Sequence, residues 1–189
     1  MERIGFHKRE ILVERIEDAR DDQEDAKEQF KSALEEFTEA VGFEGGELKS
    51  VYDKLQRELD RSEARAKDVR RSISKVEEVS RALFKEWEQE LELYGSEELR
   101  RESARKLQDT RARYGQLMRA MRRAESSLDP VLVTFRDQVL FLKHNLNAQA
   151  IASLQNKLDS VQSDVARLIQ EMESSIAEAD AFIGQMDEL

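Results

Sequence analysis

Between Tyr52 and Trp87 the apolar and small residues fall at Tyr52, Leu55, Leu59, Ser62, Ala66, Val69, Ile73, Val76, Ser80, Leu83 and Trp87, so every step is three or four in strict alternation. That spacing keeps one narrow stripe turned toward a partner helix for the whole length of the segment. A strand would need alternation with a period of two, and no such pattern is present. The segment therefore predicts a helix from about residue 47 to residue 94, roughly 70 Å long.

The same spacing recurs along the chain. The first helix is expected over 7–41, with Leu12, Ile16, Ala19, Ala26, Phe30, Ala33, Phe37 and Ala40 inward and Gln23 in the one polar slot. Gly42 is expected to cap it in a left-handed conformation, and "FEGG" to form the turn. A third helix over 96–128 carries Leu107, Thr110, Tyr114, Leu117, Met121, Ala124 and Leu128, with Ser96 as N-cap. Its seam passes in phase through Pro130 to Val131 and Phe135, so a short interruption or kink is expected, with Asp129 as cap of a fourth helix over 130–144.

From Leu142 the steps to Leu146, Ala150 and Leu154 are all four, which breaks the stripe and predicts a corner. Asn145 suits a left-handed cap and Asn147 an N-cap. A last helix over 147–186 then carries Leu158, Val161, Val165, Leu168, Met172, Ile176, Ala179, Ile183 and Met186, with a stutter at Met172 to Ile176. The predicted architecture is all-α: an elongated antiparallel bundle or coiled coil of four to five long helices forming a single domain over 1–189. Val139 to Leu142 cover several helix faces, so the corner is expected to be buried on several sides. A straight run through the corner would instead make a rod over 130–184, in a three-stranded or dimeric coiled coil.

Composition agrees with this reading, since Ala, Glu, Lys, Leu and Arg supply 96 of 189 residues. With one proline and seven glycines there is little material for the turns of a sheet. The chain has no cysteine, which removes disulfides, thiolate metal sites and cysteine nucleophiles together. The most apolar run, Val131 to Leu142, is interrupted by Arg136 and Asp137 and is too short to span a bilayer. The charged start "MERIGFHKREILVERIEDARDD" does not read as a signal peptide, so the chain is expected to be soluble.

No residue pattern points to catalysis. The two histidines, His7 and His144, lie far apart, and Ile4 and Phe141 stand where a di-iron bundle needs glutamates. Phosphate loops, zinc spacings and nucleophile elbows are missing from the pattern, so no catalytic, cofactor or metal residue is assigned and no cofactor or small-molecule substrate is expected. The net charge of −10 disfavours nucleic acid as a partner. Against that background residues 95–128 carry nine basic and five acidic groups. Arg111, Arg113, Arg119, Arg122 and Arg123 are the candidate interaction surface. They are expected to pair with the acidic first and last helices or a second protomer, the sharper alternative being an anionic membrane surface or partner.

The strings "GFHKREILVERIEDARDDQEDAKEQFKSALEEF", "TRARYGQLMRAMRRAE" and "FRDQVLFLKHNLNAQAIASL" resemble the bacterial domain-of-unknown-function family numbered 2959, over nearly the whole chain. The family has no established activity, so the resemblance carries over no site residue. Its members resemble secreted lipoproteins, with a signal peptide and a lipidated cysteine ahead of the "HKR" segment; this sequence starts at Met1, just before that point, as expected of a mature domain. The resemblance implies a periplasmic or cell-envelope location, with an anchor tethering the first helix. The expected function is a non-enzymatic structural or scaffolding rod, with a homo-oligomer or a protein partner in view.

Overall fold

A computed structural model describes residues 2–188, with side chains from residue 7 onward. Its helices are α1 (Glu2–Val41), α2 (Leu48–Leu91), α3 (Glu97–Ser126), α4 (Leu128–His144) and α5 (Ala148–Met186), and among the described residues there is no strand. α1 packs on α2 and α5, while α3 and α4 both pack on those same two helices. The α3–α4 pair thus occupies one corner of a square diagonal to α1, as an up-down-up-down bundle requires. Phe37 and Phe135 meet across that diagonal with ring centroids 5.8 Å apart. With 44 residues in α2, the bundle is about 66 Å long.

The seams close on one another as their spacing predicts. Leu12, Ile16, Ala19, Gln23, Ala26, Phe30, Ala33, Phe37 and Ala40 are all buried on α1, and Leu55 through Trp87 on α2. Alanine every seventh residue from Ala19 to Ala40 lets α1 lie close to its neighbours, while Phe30 and Phe37 fill the spaces between. Glu58, buried without a seam position, is held by Gln29 Nε2 (2.8 Å) and Ser32 Oγ (3.3 Å) from α1 and by Arg61 Nη1 (3.2 Å). A buried carboxylate needs such donors to offset its desolvation.

Several local expectations are corrected. Gly42 is not left-handed; Gly45 (φ 74°) and Gly46 (φ 132°) are, because the chain reverses four to five residues past the end of α1 at Val41. Asn145 stays at φ −136° and donates from Nδ2 to the Phe141 carbonyl (3.0 Å), and the corner turns through the bond from the Asn147 amide to the Asn145 carbonyl (2.9 Å) and not through a left-handed cap. Asn147 caps α5 as expected, accepting from the Gln149 amide at 3.0 Å. Ser153 Oγ donates to Gln138 Oε1 (2.8 Å), tying α5 back onto α4.

At the α3–α4 joint Asp129 is not the cap but lies inside the first turn of α4, paired with Arg70. Ser127 occupies the junction, its hydroxyl donating back to the Ala124 carbonyl. Pro130 has no N–H to offer the Ser126 carbonyl, which explains a break of a single residue. Ala124, Leu128, Val131 and Phe135 remain buried in phase, so the rod continues past the proline.

The stutter expected in α5 is absent. Ser175 and Phe182 are buried where Ile176 and Ile183, both half-buried, had been placed. The core series therefore runs Val161, Val165, Leu168, Met172, Ser175, Ala179, Phe182, Met186 without a break in alternation. A polar residue fills one seam position, as Gln23 does on α1. The ion pairs Arg20–Asp180 (3.0 Å) and Lys27–Glu173 (3.9 Å) set α1 against α5 so that Gln23 and Ser175 share a level. Both are fully buried, and neither the Gln23 amide nor the Ser175 hydroxyl has a hydrogen-bond partner.

An orphaned polar group of this kind costs about 1–3 kcal/mol. Gln23→Met combined with Ser175→Ala should raise the stability measured by urea denaturation by about that amount. A loss of stability would mean that the pair is satisfied in solution. Leu142 is fully buried and Leu146 is 48% exposed. Leu142→Ala should cost ~2–5 kcal/mol, and Leu146→Ala should fall within about 0.5 kcal/mol of the parent; equal melting of the two would contradict the corner described here.

Candidate functional site

The five arginines singled out in the sequence do not form one free patch. Arg111 Nη2 contacts Glu88 Oε1 on α2 at 2.7 Å, and its guanidinium lies 5.4 Å from the Phe84 ring centroid. Arg122 pairs with Glu77 on α2 and with Glu125 (2.8 Å), and Arg123 with Glu171 on α5 (3.4 Å). Beside the two carboxylates the Arg122 guanidinium is held still more firmly in its charged form, the Glu77 hydrogen bond being the larger cause. Only Arg113 and Arg119 of the five make no ion pair among the described residues. Of the four partners two lie on α2, one on α5 and one on α3 itself; none lies on α1, because α1 is diagonal to α3.

The described surface includes three open concavities. The first, about 320 Å³, sits between α1 and α2 and is lined by Asp18, Asp21, Asp22 and Asp68 with Arg15, Arg71, Ser72 and Lys75. Arg15 Nη1 lies 3.4 Å from Asp18, and Arg71 Nη1 4.0 Å from Asp68. Burial pushes the Asp22 carboxyl above the usual carboxylate range; the Ser72 hydroxyl opposes that shift, while Asp68, Asp18 and Asp25 add to it. Despite this acidic setting, no group of three or more His, Asp or Glu side chains among the described residues is placed to hold a metal ion.

A second concavity of about 250 Å³ has Trp87 at its base, with the Arg9 guanidinium 4.5 Å from the indole centroid. Trp87 Nε1 donates to Ser103 Oγ at 2.9 Å, which uses the one polar atom of the ring. The third, about 320 Å³, lies at the α3–α4 joint between Arg123, Ser126, Pro130, Arg167 and Glu171. His7 is 4.0 Å from Glu10 with both side chains largely exposed, and His144 ends α4 in solvent. Neither lines one of these three concavities.

What sequence reasoning missed is where the exposed apolar surface lies. The large exposed hydrophobic residues among those described are Leu93 (74%), Tyr94 (42%) and Leu99 (53%) at the α2–α3 turn, Val133 (52%) near the start of α4, and Leu140 (58%) and Leu146 toward the α4–α5 corner. Leu140 and Leu146 had been expected inside. Residues 145–156 contain no charged side chain in a sequence that is 38% charged, and that gap was the signal available.

The fold thus defines an all-helical, antiparallel rod held by lengthwise seams, and among the described residues no helix is long and apolar enough to cross a membrane. The chain belongs to the family described as "Protein of unknown function (DUF2959)", which matches residues 1–186. Among curated proteins none matches it.

Because folding raises the Asp22 pKa, the group favours the folded state only where it is protonated. Its contribution is full below the unfolded carboxylate range and is lost as pH rises through the folded value, leaving a penalty at neutral pH. Asp22→Asn should therefore raise the melting temperature at pH 7 by about 1–2 °C, with the gain shrinking as pH falls through the raised folded value and gone below the unfolded carboxylate value of about 4. Thermal melts across that range check this, and a gain that grew in acid would contradict it.

Proposed function

We propose that the protein is a non-enzymatic structural or scaffolding rod of the bacterial cell envelope. The observation that carries the structural half is the unbroken core, contributed by all five helices from Leu12 and Met186 near one end to Ala40 and Leu142 near the other. Core positions are taken by packing residues along the full length. The concavities that remain are open, and the pairs Arg15–Asp18, Arg71–Asp68 and Arg123–Glu171 neutralise part of their charge. Tuning a catalytic group requires a partly dry pocket with convergent polar groups, and the surface of this rod offers charge pairs in water instead.

The envelope half rests on the resemblance of the sequence to lipoprotein-like members of its family. An anchor ahead of α1 would hold the rod by one end. Attachment to an anionic surface through the third helix is the weaker reading, because Arg111, Arg122 and Arg123 already face carboxylates of the same chain. Co-sedimentation with anionic vesicles separates the two, and binding abolished by Arg113→Glu with Arg119→Glu would favour the weaker one.

Two measurements test the main proposal. Fractionation of cells making the protein at native level should recover it with the envelope, and recovery in the cytosol alone would remove that location. A chain carrying Asp22→Asn, Glu102→Gln and Arg167→Gln, one change in each concavity, should fold like the parent and complement a deletion strain in full. Failure to complement with the fold intact would make the protein an enzyme or a small-molecule binder.

A further inference from the structure

Of the reversals between the described helices, the one joining α4 to α5 is built differently. The α1–α2 loop turns on Gly45 (φ 74°) and Gly46 (φ 132°), a conformation excluded from a right-handed helix, and the α2–α3 turn holds Gly95. Between His144 and Ala148 stand only Asn145, Leu146 and Asn147, with no glycine, no proline and no positive φ. Each of these residues can be taken into a helix. The corner leaves the last carbonyls of α4 and the first amides of α5 without helical partners, and a continued helix would pair them with one another. It would also set Leu146, now 48% exposed, about 40° around the helix from buried Leu142 and from buried Ala150, in a single stripe.

The helix beyond that corner has a seat that is specific and yet imperfect. Arg20–Asp180 (3.0 Å) and Lys27–Glu173 (3.9 Å) tie α5 to α1, Arg123–Glu171 (3.4 Å) ties it to α3, and the Ser153–Gln138 hydrogen bond (2.8 Å) ties it to α4. Leu168, Met172 and Phe182 are buried along the face it turns to them. Inside the same seat the Gln23 amide and the Ser175 hydroxyl are buried with no hydrogen-bond partner. Water reaches both groups when α5 lifts away, so opening recovers hydration that the closed bundle withholds. A groove vacated by one α5 is matched, residue by residue, by another α5.

From this we infer that two copies of the chain exchange α5. Residues 145–147 become helical, Leu128 to Met186 form one helix of about 88 Å, and each α5 fills the groove between α1 and the α3–α4 corner of the other copy. The ion pairs and the hydrogen bond that seat α5 re-form between copies, so the interface is the one already present within the single chain. The exchange is reciprocal and closes at two copies, with the two hinges side by side at the two-fold axis. This end of the rod carries Glu39, Glu44 and Glu47 together with Lys143 and Lys157. Charge there is mixed, and the selection comes from the α5 seat. Two bundles then lie end to end, spanned by the shared helices. The inference rests on the fold and not on the envelope reading, whose failure in fractionation would leave it standing.

Refolding from urea at high protein concentration should give a species of twice the 22.0 kDa of one chain by light scattering, and refolding at high dilution the single chain. The chain has no cysteine, so Arg20→Cys with Asp180→Cys gives one reactive pair across the α1–α5 contact. A bis-maleimide applied to the dimer should join two chains on a denaturing gel, and applied to the monomer it should close within one. Asn145→Ala with Asn147→Ala removes the two side chains that hold the corner and should raise the dimer fraction roughly fivefold. Three glycines inserted after Leu146 should abolish the dimer, since they lengthen the turn and interrupt the continued helix. Circular dichroism checks the helicity of both variants; were either to lose it, the cross-link on the cysteine pair decides alone. A chain that stays monomeric after concentrated refolding, a dimer whose cross-link stays within one chain, or a folded glycine-inserted chain that dimerises like the parent would each overturn the inference.

Discussion

Everything in this molecule depends on one constraint: each helix has a stripe of core residues that water must not reach, and the stripe recurs at a spacing only another helix can match. On α1 and α5, the diagonal partners of the α3–α4 corner and α2, the stripes are continuous from Leu12 to Ala40 and from Val161 to Met186. Helix length, antiparallel order and the absence of a deep interior cleft all follow from closing four such stripes on one axis. The cost of ordering so much backbone is offset along the full length of the core and not at any one point.

The same constraint explains how polar residues are tolerated within and beside the seams. Ser80 lies in the seam with its hydroxyl 2.6 Å from that of Tyr114, and Glu58 has three donors, so each has a local partner. Burial raises the Tyr114 pKa, which keeps the phenol neutral at this contact. Gln23 and Ser175 differ in that nothing satisfies them, and they meet at one level between α1 and α5. A buried polar layer of this type lowers stability while discouraging shifted pairings of otherwise similar stripes. Its place in the sequence was visible on α1, where Gln23 stands alone among apolar residues, but hidden on α5, where Ile176 lay one residue away and offered a better apolar fit.

The surface follows a different logic from the core. Arginines that look like a basic patch in the linear sequence are distributed by the helix turn, so that Arg111 and Arg122 reach α2 and Arg123 reaches α5. Exposed pairs of this sort contribute little to stability, but they neutralise the flanks. The large exposed apolar side chains gather mainly at the α2–α3 turn and toward the α4–α5 corner, with Val133 alone on the flank of α4 among the described residues.

Periodicity, a property of the chain alone, was enough to determine the helices, their approximate bounds, the uninterrupted seam across Pro130 and the corner at Asn147. It carries the phase of each stripe because the helical repeat is fixed by backbone geometry. Only the tertiary structure decided which helices are neighbours and which are diagonal, and so which carboxylate each arginine meets. It also decided that Ser175 and not Ile176 faces inward, and that Leu140 and Leu146 face outward, because the final rotation of a helix is set by the side chains packed against it and not by its own sequence.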